Sequence, residues 1–246
     1  RNNIHDVGIA PYWHAAAISL CASSHNRICH NFMRNMPYAG ISIVETMAKE
    51  LPPNPDTFKQ GLDDAANAYK KFRYTELPSG TSTPETVEQY LHSDNNTVER
   101  NIVYEYMTRL NDGSAMYCWA VGTNGVWREN IVVRNLETAR KDARAGTANG
   151  FYMDDETDLA LVEVNLCWGP IGTAWFDNSH GWGARPIAEM CENTEPPVKA
   201  SAHTSNRYRN NFGSITNKPA GYDALMGKIV GDVKRDGGWL GNPRTP

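Results

Sequence analysis

The sequence lacks the short motifs by which many catalytic and nucleotide-binding sites are recognised. It contains no Gly-x-Ser-x-Gly, no Gly-x-x-x-x-Gly-Lys-Ser/Thr, no Gly-x-Gly-x-x-Gly and no His-Glu-x-x-His. These absences remove the sequence support for a hydrolase serine elbow, a P-loop, a dinucleotide-binding fold and a zinc protease. The chain also has no apolar run of the roughly 18–20 residues that a membrane-spanning helix needs. We therefore predict no membrane span.

Cysteine and excess positive charge are also scarce. The 246 residues include five cysteines, with no Cys-x-x-Cys pair and no Cys/His spacing typical of structural zinc. No metal and no cofactor are therefore predicted. The net charge is −4, which excludes a globally basic nucleic-acid binder but leaves room for a local basic surface.

The composition is that of an ordered chain. Hydrophobic residues make up 40% and charged residues 21%, enough apolar surface for a substantial core. We find no internal repeat of 20–50 residues.

The first 110 residues are predicted to be helical. Apolar residues recur every three or four positions and capping residues precede several of these segments, as in amphipathic helices. The predicted helices cover residues 12–33, 43–50, 57–72, 84–91 and 96–110.

The following region is predicted to contain strands. Residues 115–121 and 126–133 are rich in β-branched and aromatic side chains and flank a Gly-Thr-Asn-Gly turn, which favours a β-hairpin. A short helix over 136–145 and a strand over 159–165 follow. The predicted fold class is α+β, with a helical N-terminal half packed on a small antiparallel sheet and a long irregular C-terminal extension.

The predicted organisation is an N-terminal arm (1–11), one core domain (12–199) and a basic extension (200–246). The extension holds seven basic and three acidic residues, so residues 1–199 carry a net charge of −8. Its seven glycines and three prolines oppose long regular helices or strands.

A loop rich in tryptophan and glycine, residues 167–185, is the first candidate site. Flat aromatic faces suit stacking on sugars, and an adjacent Asp and His suit proton transfer. The predicted ligand-binding residues are Trp168, Trp175 and Trp182, and the predicted catalytic residues, if the protein is an enzyme, are Asp177 and His180. The alternative is that the tryptophans anchor a long loop to the core.

An acidic turn precedes the strand predicted at 159–165. It contains Asp154, Asp155, Glu156 and Asp158. Carboxylate oxygens suit Ca²⁺, but the spacing does not fit an EF-hand, and we interpret the segment as a solvated turn, with a cation site as the alternative.

The basic extension is the second candidate site. Guanidinium and aromatic groups alternate in it, a pattern that suits phosphate contact with stacking. The predicted contacts to a neighbouring subunit or to nucleic acid are Arg207, Tyr208, Arg209, Lys218, Lys234 and Arg235.

Three functions fit these features. The first is a self-assembling structural subunit, such as a viral coat or nucleocapsid protein, whose basic arm contacts neighbours or nucleic acid. The second is a processed, secreted hydrolase or lyase acting on polysaccharide or cell wall, and the third is a lectin-like carbohydrate-binding module. The expected partners are further copies of the chain, nucleic acid or a glycan, and the expected location is the virion or the extracellular space.

Overall fold

The chain winds through three sheets in a fixed order. The computed structural model describes residues 2–8, 15–44, 93–110, 112–119, 124–134, 148–154, 157, 160–169, 175–177, 188–191, 198–199, 207–209 and 221–235. From residue 3 to residue 191, each full turn of the chain adds one strand to sheet A, one to sheet B and one to sheet C, and the described strands after residue 191 belong to sheets B and C. Every strand pair in the described residues is parallel, so the architecture is a parallel β-helix.

The strands are short and are numbered in chain order. Sheet A contains β1 (Asn3–His5), β4 (Phe32–Arg34), β7 (Ile102–Tyr104), β10 (Ile131–Val133) and β13 (Leu166–Trp168). Sheet B contains β2 (Ile18–Cys21), β5 (Ile41–Val44), β8 (Gly113–Trp119), β11 (Ala148–Met153), β14 (Trp175–Asp177) and β16 (Val198–Lys199). Sheet C contains β3 (Arg27–Cys29), β6 (Thr97–Glu99), β9 (Val126–Arg128), β12 (Ala160–Glu163), β15 (Ala188–Cys191) and β17 (Arg207–Arg209). One described helix, α1 (Tyr222–Arg235), follows.

The prediction of an α+β chain with a helical N-terminal half and an antiparallel sheet is wrong. The segment predicted as a helix over 12–33 contains β2, β3 and most of β4, and the one over 96–110 contains β6 and β7. Short strands joined by tight turns also place apolar residues every four or five positions, which imitates a helical period. Leu20, Ile28 and Phe32 fit one helix face, but they lie in three different sheets.

The strand predicted over 115–121 overlaps β8 and the one over 159–165 contains β12, but the strand predicted over 126–133 is two strands, β9 and β10, and the hairpin is wrong. β8, β9 and β10 belong to sheets B, C and A, so the Gly-Thr-Asn-Gly segment connects two sheets. The predicted helices over 57–72, 84–91 and 136–145 lie outside the described residues. The predicted arm contains β1, and the predicted extension contains β17 and α1.

A column of asparagines closes the turn between sheets C and A. In successive coils the backbone N–H and the side-chain amide of Asn2, Asn31, Asn101 and Asn130 each donate to the Oδ1 of the next member, over 2.9–3.1 Å, and Asn165 is the last member among the described residues. The amides also donate to backbone carbonyls of the neighbouring coil, such as that from Asn130 to Val98 O at 2.9 Å. Buried amides are therefore hydrogen-bonded on both edges, as burial of polar groups requires.

The same turn places a left-handed residue before each of the four later asparagines. These residues are His30, Arg100, Glu129 and Val164, with φ between 53° and 57°. A left-handed backbone costs a non-glycine residue roughly 1–2 kcal/mol. The asparagine hydrogen bonds offset that cost, since they hold the chain in a turn of only two residues between the strands.

Apolar side chains stack inside the coils at matching register positions. In sheet B, Ile41, Met116 and Phe151 are paired neighbours with no exposed surface. The other two sheets contribute Met33, Val103, Val132 and Cys167 from sheet A, and Ile28, Val98, Trp127 and Val162 from sheet C. Each coil therefore adds one apolar layer to a continuous core.

Replacing one inner asparagine tests the column. Asn130→Ala removes an acceptor for the backbone and side-chain N–H groups of Asn101, and should lower the free energy of unfolding by about 3 kcal/mol, because buried donors left without acceptors cost about 1–3 kcal/mol each. Urea unfolding measures the change.

The control is Asn3→Ala, the same substitution at an exposed position in β1. It should change stability by less than about 0.5 kcal/mol. Equal losses in both variants would contradict a special role for the column.

Candidate functional site

The outer face of sheet A is covered by α1. Leu225 and Ile229 of the helix pack in one apolar cluster with Ile102, Ile131 and Leu166, which point away from the core. Trp168 contacts Tyr222 edge to face, with ring centroids 4.6 Å apart and planes at 78°. The helix also carries ion pairs to the turn residues, Lys228 to Glu129 and Asp232 to Arg100. This face therefore serves internal packing.

The outer face of sheet C is occupied by a charge triplet. Arg27 Nε and Arg128 Nε donate to the two carboxylate oxygens of Glu99 at 2.6 and 2.8 Å, and the Glu99 side chain is only 1% exposed. Burial alone would raise the pKa of Glu99, but the hydrogen bonds from the two arginines outweigh it and lower the pKa. This carboxylate is committed to the arginines of the neighbouring strands.

The outer face of sheet B holds aromatic and carboxylate chemistry. Its row of paired residues runs from exposed Ser19 through Ser42 to Tyr117 and Tyr152. The tyrosine rings of the last two are perpendicular, with centroids 5.3 Å apart, and Tyr38 lies edge-on to Tyr117 at 6.2 Å. We call Tyr38, Tyr117, Tyr152 and Asp154 the tyrosine–aspartate cluster.

A hydrogen bond from Tyr117 fixes the carboxylate of this cluster. Tyr117 OH donates to Asp154 Oδ2 at 2.8 Å. The backbone of Asp154 continues the sheet by donating to Cys118 O at 2.9 Å, and its carbonyl accepts from the hydroxyl of Thr157 at 2.7 Å. Asp154 is half-buried whereas Tyr117 is only 5% exposed, so the carboxylate lies between a buried floor and the surface.

Two tyrosines of the cluster, Tyr117 and Tyr38, stay protonated near neutral pH. Burial, reinforced by the nearby charge of Asp154, raises the pKa of Tyr117 far above its usual value. Burial and the charges of Asp112 and Asp154 also raise the pKa of Tyr38, whose hydroxyl donates to Asp112 O at 3.0 Å. These two tyrosines can therefore donate hydrogen bonds but cannot act as bases near neutral pH.

The predicted catalytic Asp177 lies in the strand next to Asp154. It is the last residue of β14 and pairs with Met153, the residue before Asp154. Met153 faces the core, so Asp177 occupies a core-facing register position, one residue before the position equivalent to Asp154. His180, its predicted partner, lies outside the described residues, and the catalytic role of both stays a prediction.

The predicted tryptophan platform is divided between sheets. Trp168 belongs to sheet A and packs on α1, while Trp175 belongs to β14 of sheet B and pairs with Phe151. Trp182 lies outside the part of the chain that the structure describes. For Trp168, this contact agrees with the anchoring alternative.

The predicted basic contacts are placed on the chain's own fold where they are described. Arg207, Tyr208 and Arg209 form β17, which pairs with β15 in sheet C. Lys234 and Arg235 are the last residues of α1, and Lys218 is outside the described residues. Their proposed contacts with other molecules stay predictions.

Motif reasoning missed the three tyrosines, although it singled out the acidic turn that contains Asp154. The signal that could have found them is the recurrence of asparagine after a short apolar strand, 29 residues apart from Asn2 to Asn31 and again from Asn101 to Asn130. Aligning the chain on that recurrence gives the coil register, and the register puts Tyr117 beside Tyr152.

Within the described ranges, no group of three or more His, Cys, Asp or Glu side chains is placed to hold a metal ion.

No helix among the described residues has both the length and the apolar character needed to cross a membrane.

No protein-family model, curated protein or solved structure matches the chain.

The charge triplet on sheet C makes a pH-dependent contribution to stability. Because the folded-state pKa of Glu99 is lowered, its stabilising effect is present above the unfolded pKa and is lost as the pH falls through the folded pKa. Wild type should lose more stability than Glu99→Gln between about pH 6 and about pH 3, in denaturant unfolding at each pH. Parallel losses in the two proteins would contradict this assignment.

Proposed function

We propose that the protein is a hydrolase or lyase that binds a polysaccharide at the end of sheet B, where Asp154 reaches the surface, and cleaves it there. The observation that carries the proposal is the Asp154 carboxylate, fixed by Tyr117 and half-open to the surface of a sheet whose neighbouring strands repeat the same register. The other two outer faces are used for the packing of α1 and for the Glu99 ion pairs.

The shape of sheet B suits a polymer. Its six parallel strands are stacked about 4.8 Å apart, which gives a face of about 24 Å along the axis of the coils. Ser42, Tyr117 and Tyr152 on its outer face are at most 5% exposed, so a polymer would meet successive coils at the ends of the strands, beside Asp154, and not over the face.

The chemistry of the cluster suits cleavage of a glycosidic bond. Asp154 can accept a proton, either from water in hydrolysis or from a sugar carbon in elimination. Tyr117 keeps the carboxylate in one orientation, since its own hydroxyl remains protonated. Hydrolysis uses two carboxyl groups, and Asp177 on the adjacent strand has a register position different from that of Asp154, since it pairs with the core-facing Met153.

The described part of the basic extension does not support the coat-protein hypothesis. It depended on a basic extension that its own fold could not hold. Of residues 200–246, β17 pairs with β15 and α1 packs on sheet A, so these parts are held by their own chain. Self-assembly itself stays an untested prediction.

Substitution of the carboxylate is the direct test. Asp154→Asn should reduce polysaccharide cleavage at least about 100-fold, because a positioned acid or base contributes roughly 10²–10⁴ in rate. A panel of polysaccharides is incubated with the protein, and release of reducing ends is compared with the ultraviolet absorbance of unsaturated ends. Reducing ends alone indicate hydrolysis, and both signals indicate elimination.

The matched control is Asp223→Asn, the same change at an exposed position in α1. It should retain full activity. Absence of cleavage by wild type across the panel, or full activity in folded Asp154→Asn, would overturn the proposal.

Removal of the tyrosine hydroxyl separates orientation from proton transfer. Tyr117→Phe keeps the ring but loses the hydrogen bond to Asp154, and should lower kcat about 10- to 100-fold, since a hydrogen bond to a charged group contributes about 1.5–3 kcal/mol. Tyr104→Phe in sheet A is the control and should keep wild-type kcat. An unchanged kcat in Tyr117→Phe would show that the bond does not support turnover.

A further inference from the structure

A cavity of about 190 Å³ lies where three successive coils turn from sheet A towards sheet B. Its lining residues are Asp6, Val7, Asn35, Pro37, Thr108 and Arg109. Pro37 and Thr108 are buried and form the floor, whereas Asp6, Asn35 and Arg109 are exposed and form the rim. The turn that supplies Asn35 and Pro37 continues directly into Tyr38 of the tyrosine–aspartate cluster.

The backbone builds this rim in the same way in two coils. His5 pairs with Arg34, so Asp6 and Asn35 occupy equivalent positions after β1 and β4. Both have left-handed backbones with φ of 56°, and the Asn35 amide donates to the Asp6 carboxylate. The floor is fixed as well, because the Thr108 hydroxyl donates to Met36 O at 3.1 Å and Arg109 N donates to Pro37 O at 3.2 Å.

The rim offers both hydrogen-bond acceptors and hydrogen-bond donors. His5 Nδ1 donates to Asp6 Oδ2 at 2.7 Å, and this bond, with that from Asn35, lowers the pKa of Asp6. The ionised carboxylate accepts hydrogen bonds, while the Asn35 amide and the Arg109 guanidinium can donate them. One negative and one positive group at the rim give no net preference for a charged ligand.

The volume limits the ligand to a small molecule. Pockets for drug-sized ligands measure roughly 300–1,000 Å³, so this cavity takes something smaller. It equals the liquid volume of about six water molecules, at about 30 Å³ each. A single sugar ring displaces about this number of water molecules, and its hydroxyls both donate and accept hydrogen bonds.

We infer that this cavity binds one neutral, polyhydroxylated sugar unit, as a subsite for the polysaccharide that is cleaved at Asp154. The identification of the ligand as a saccharide rests on the proposed function. The subsite extends that function by assigning recognition of a neutral unit to Asp6, Asn35 and Arg109, apart from the cluster at Asp154.

The test is titration of the full chain with free glucose, galactose, mannose and glucuronic acid, followed by the amide NMR signals of Val7 and Thr108. A neutral hexose should give saturable shifts with a Kd of about 1–10 mM, since a half-open cavity of this size makes few contacts. Asp6→Asn and Arg109→Gln should each weaken binding about tenfold, because each removes a hydrogen bond to a charged group. Asp223→Asn is the control and should bind as wild type does.

Two results would overturn the inference. One is the absence of saturable shifts for every neutral hexose, and the other is binding that persists unchanged in folded Asp6→Asn and folded Arg109→Gln. Binding of glucuronic acid alone would overturn the assignment of a neutral unit. Polysaccharide cleavage that depends on Asp154, without hexose binding, would support the proposed function and reject the subsite. Hexose binding without any cleavage would support a sugar site in the cavity and reject the proposed function.

Discussion

The asparagine column is the constraint on which the other features of the fold depend. A turn of two residues between sheets C and A is too short to adjust, so each coil must place its left-handed residue and its asparagine directly beside those of the next coil. The amide then satisfies its own donors and acceptor within the column. Once this turn is in register, the strands on either side of it are in register too. The pairing of Glu99 with two arginines and of Tyr117 with Tyr152 follows from that alignment.

The column also explains how the fold accommodates a long insertion. Asn31 and Asn101 are 70 residues apart in the chain, yet their side chains bond as closely as those of Asn101 and Asn130, which are 29 apart. The additional residues enter between β5 and β6, at the corner opposite the asparagine turn. Closure of a longer loop costs little extra entropy, so the coil register tolerates insertion at that corner.

The sequence alone predicted individual strands but not their arrangement. The segments around Ala115 and Ile131 have β-branched and aromatic residues in sufficient number to be recognised, and they are strands. Residues 18–34 are different, because strands of three or four residues are too short to show a period of two, and the bends between them restore a spacing close to that of a helix. Propensity is a local property, whereas the decisive signal here is the asparagine recurrence between coils.

The candidate site likewise has one residue that the sequence singles out and others that only the strand register reveals. Asp154 stands out in the sequence because it begins an acidic turn, but its link to Tyr117 crosses 37 residues and depends on the pairing of β8 with β11. Tyr38 is further removed, since it comes from a turn in the preceding coil and reaches the backbone of Asp112. Such residues can be brought together only when the strand register is known. Without the register, aromatic residues that are close in sequence, such as Trp168 and Trp175, are chosen as site candidates instead.

The distribution of chemistry over the molecule follows from the way a coil is built. Inward-facing residues stack on their equivalents and must remain apolar, and the turn between sheets C and A must keep its asparagine. Variation is therefore confined to the three outer faces and to the corners where longer turns leave the sheets. In this chain the first face is apolar and holds a helix, the second pairs one carboxylate with two arginines, and the third places three tyrosines near Asp154, one of which donates a hydrogen bond to it. A fold of this kind does not dictate its function, but it restricts where function can reside, and the third face with its adjoining corner is the place where the polar groups exceed the needs of packing.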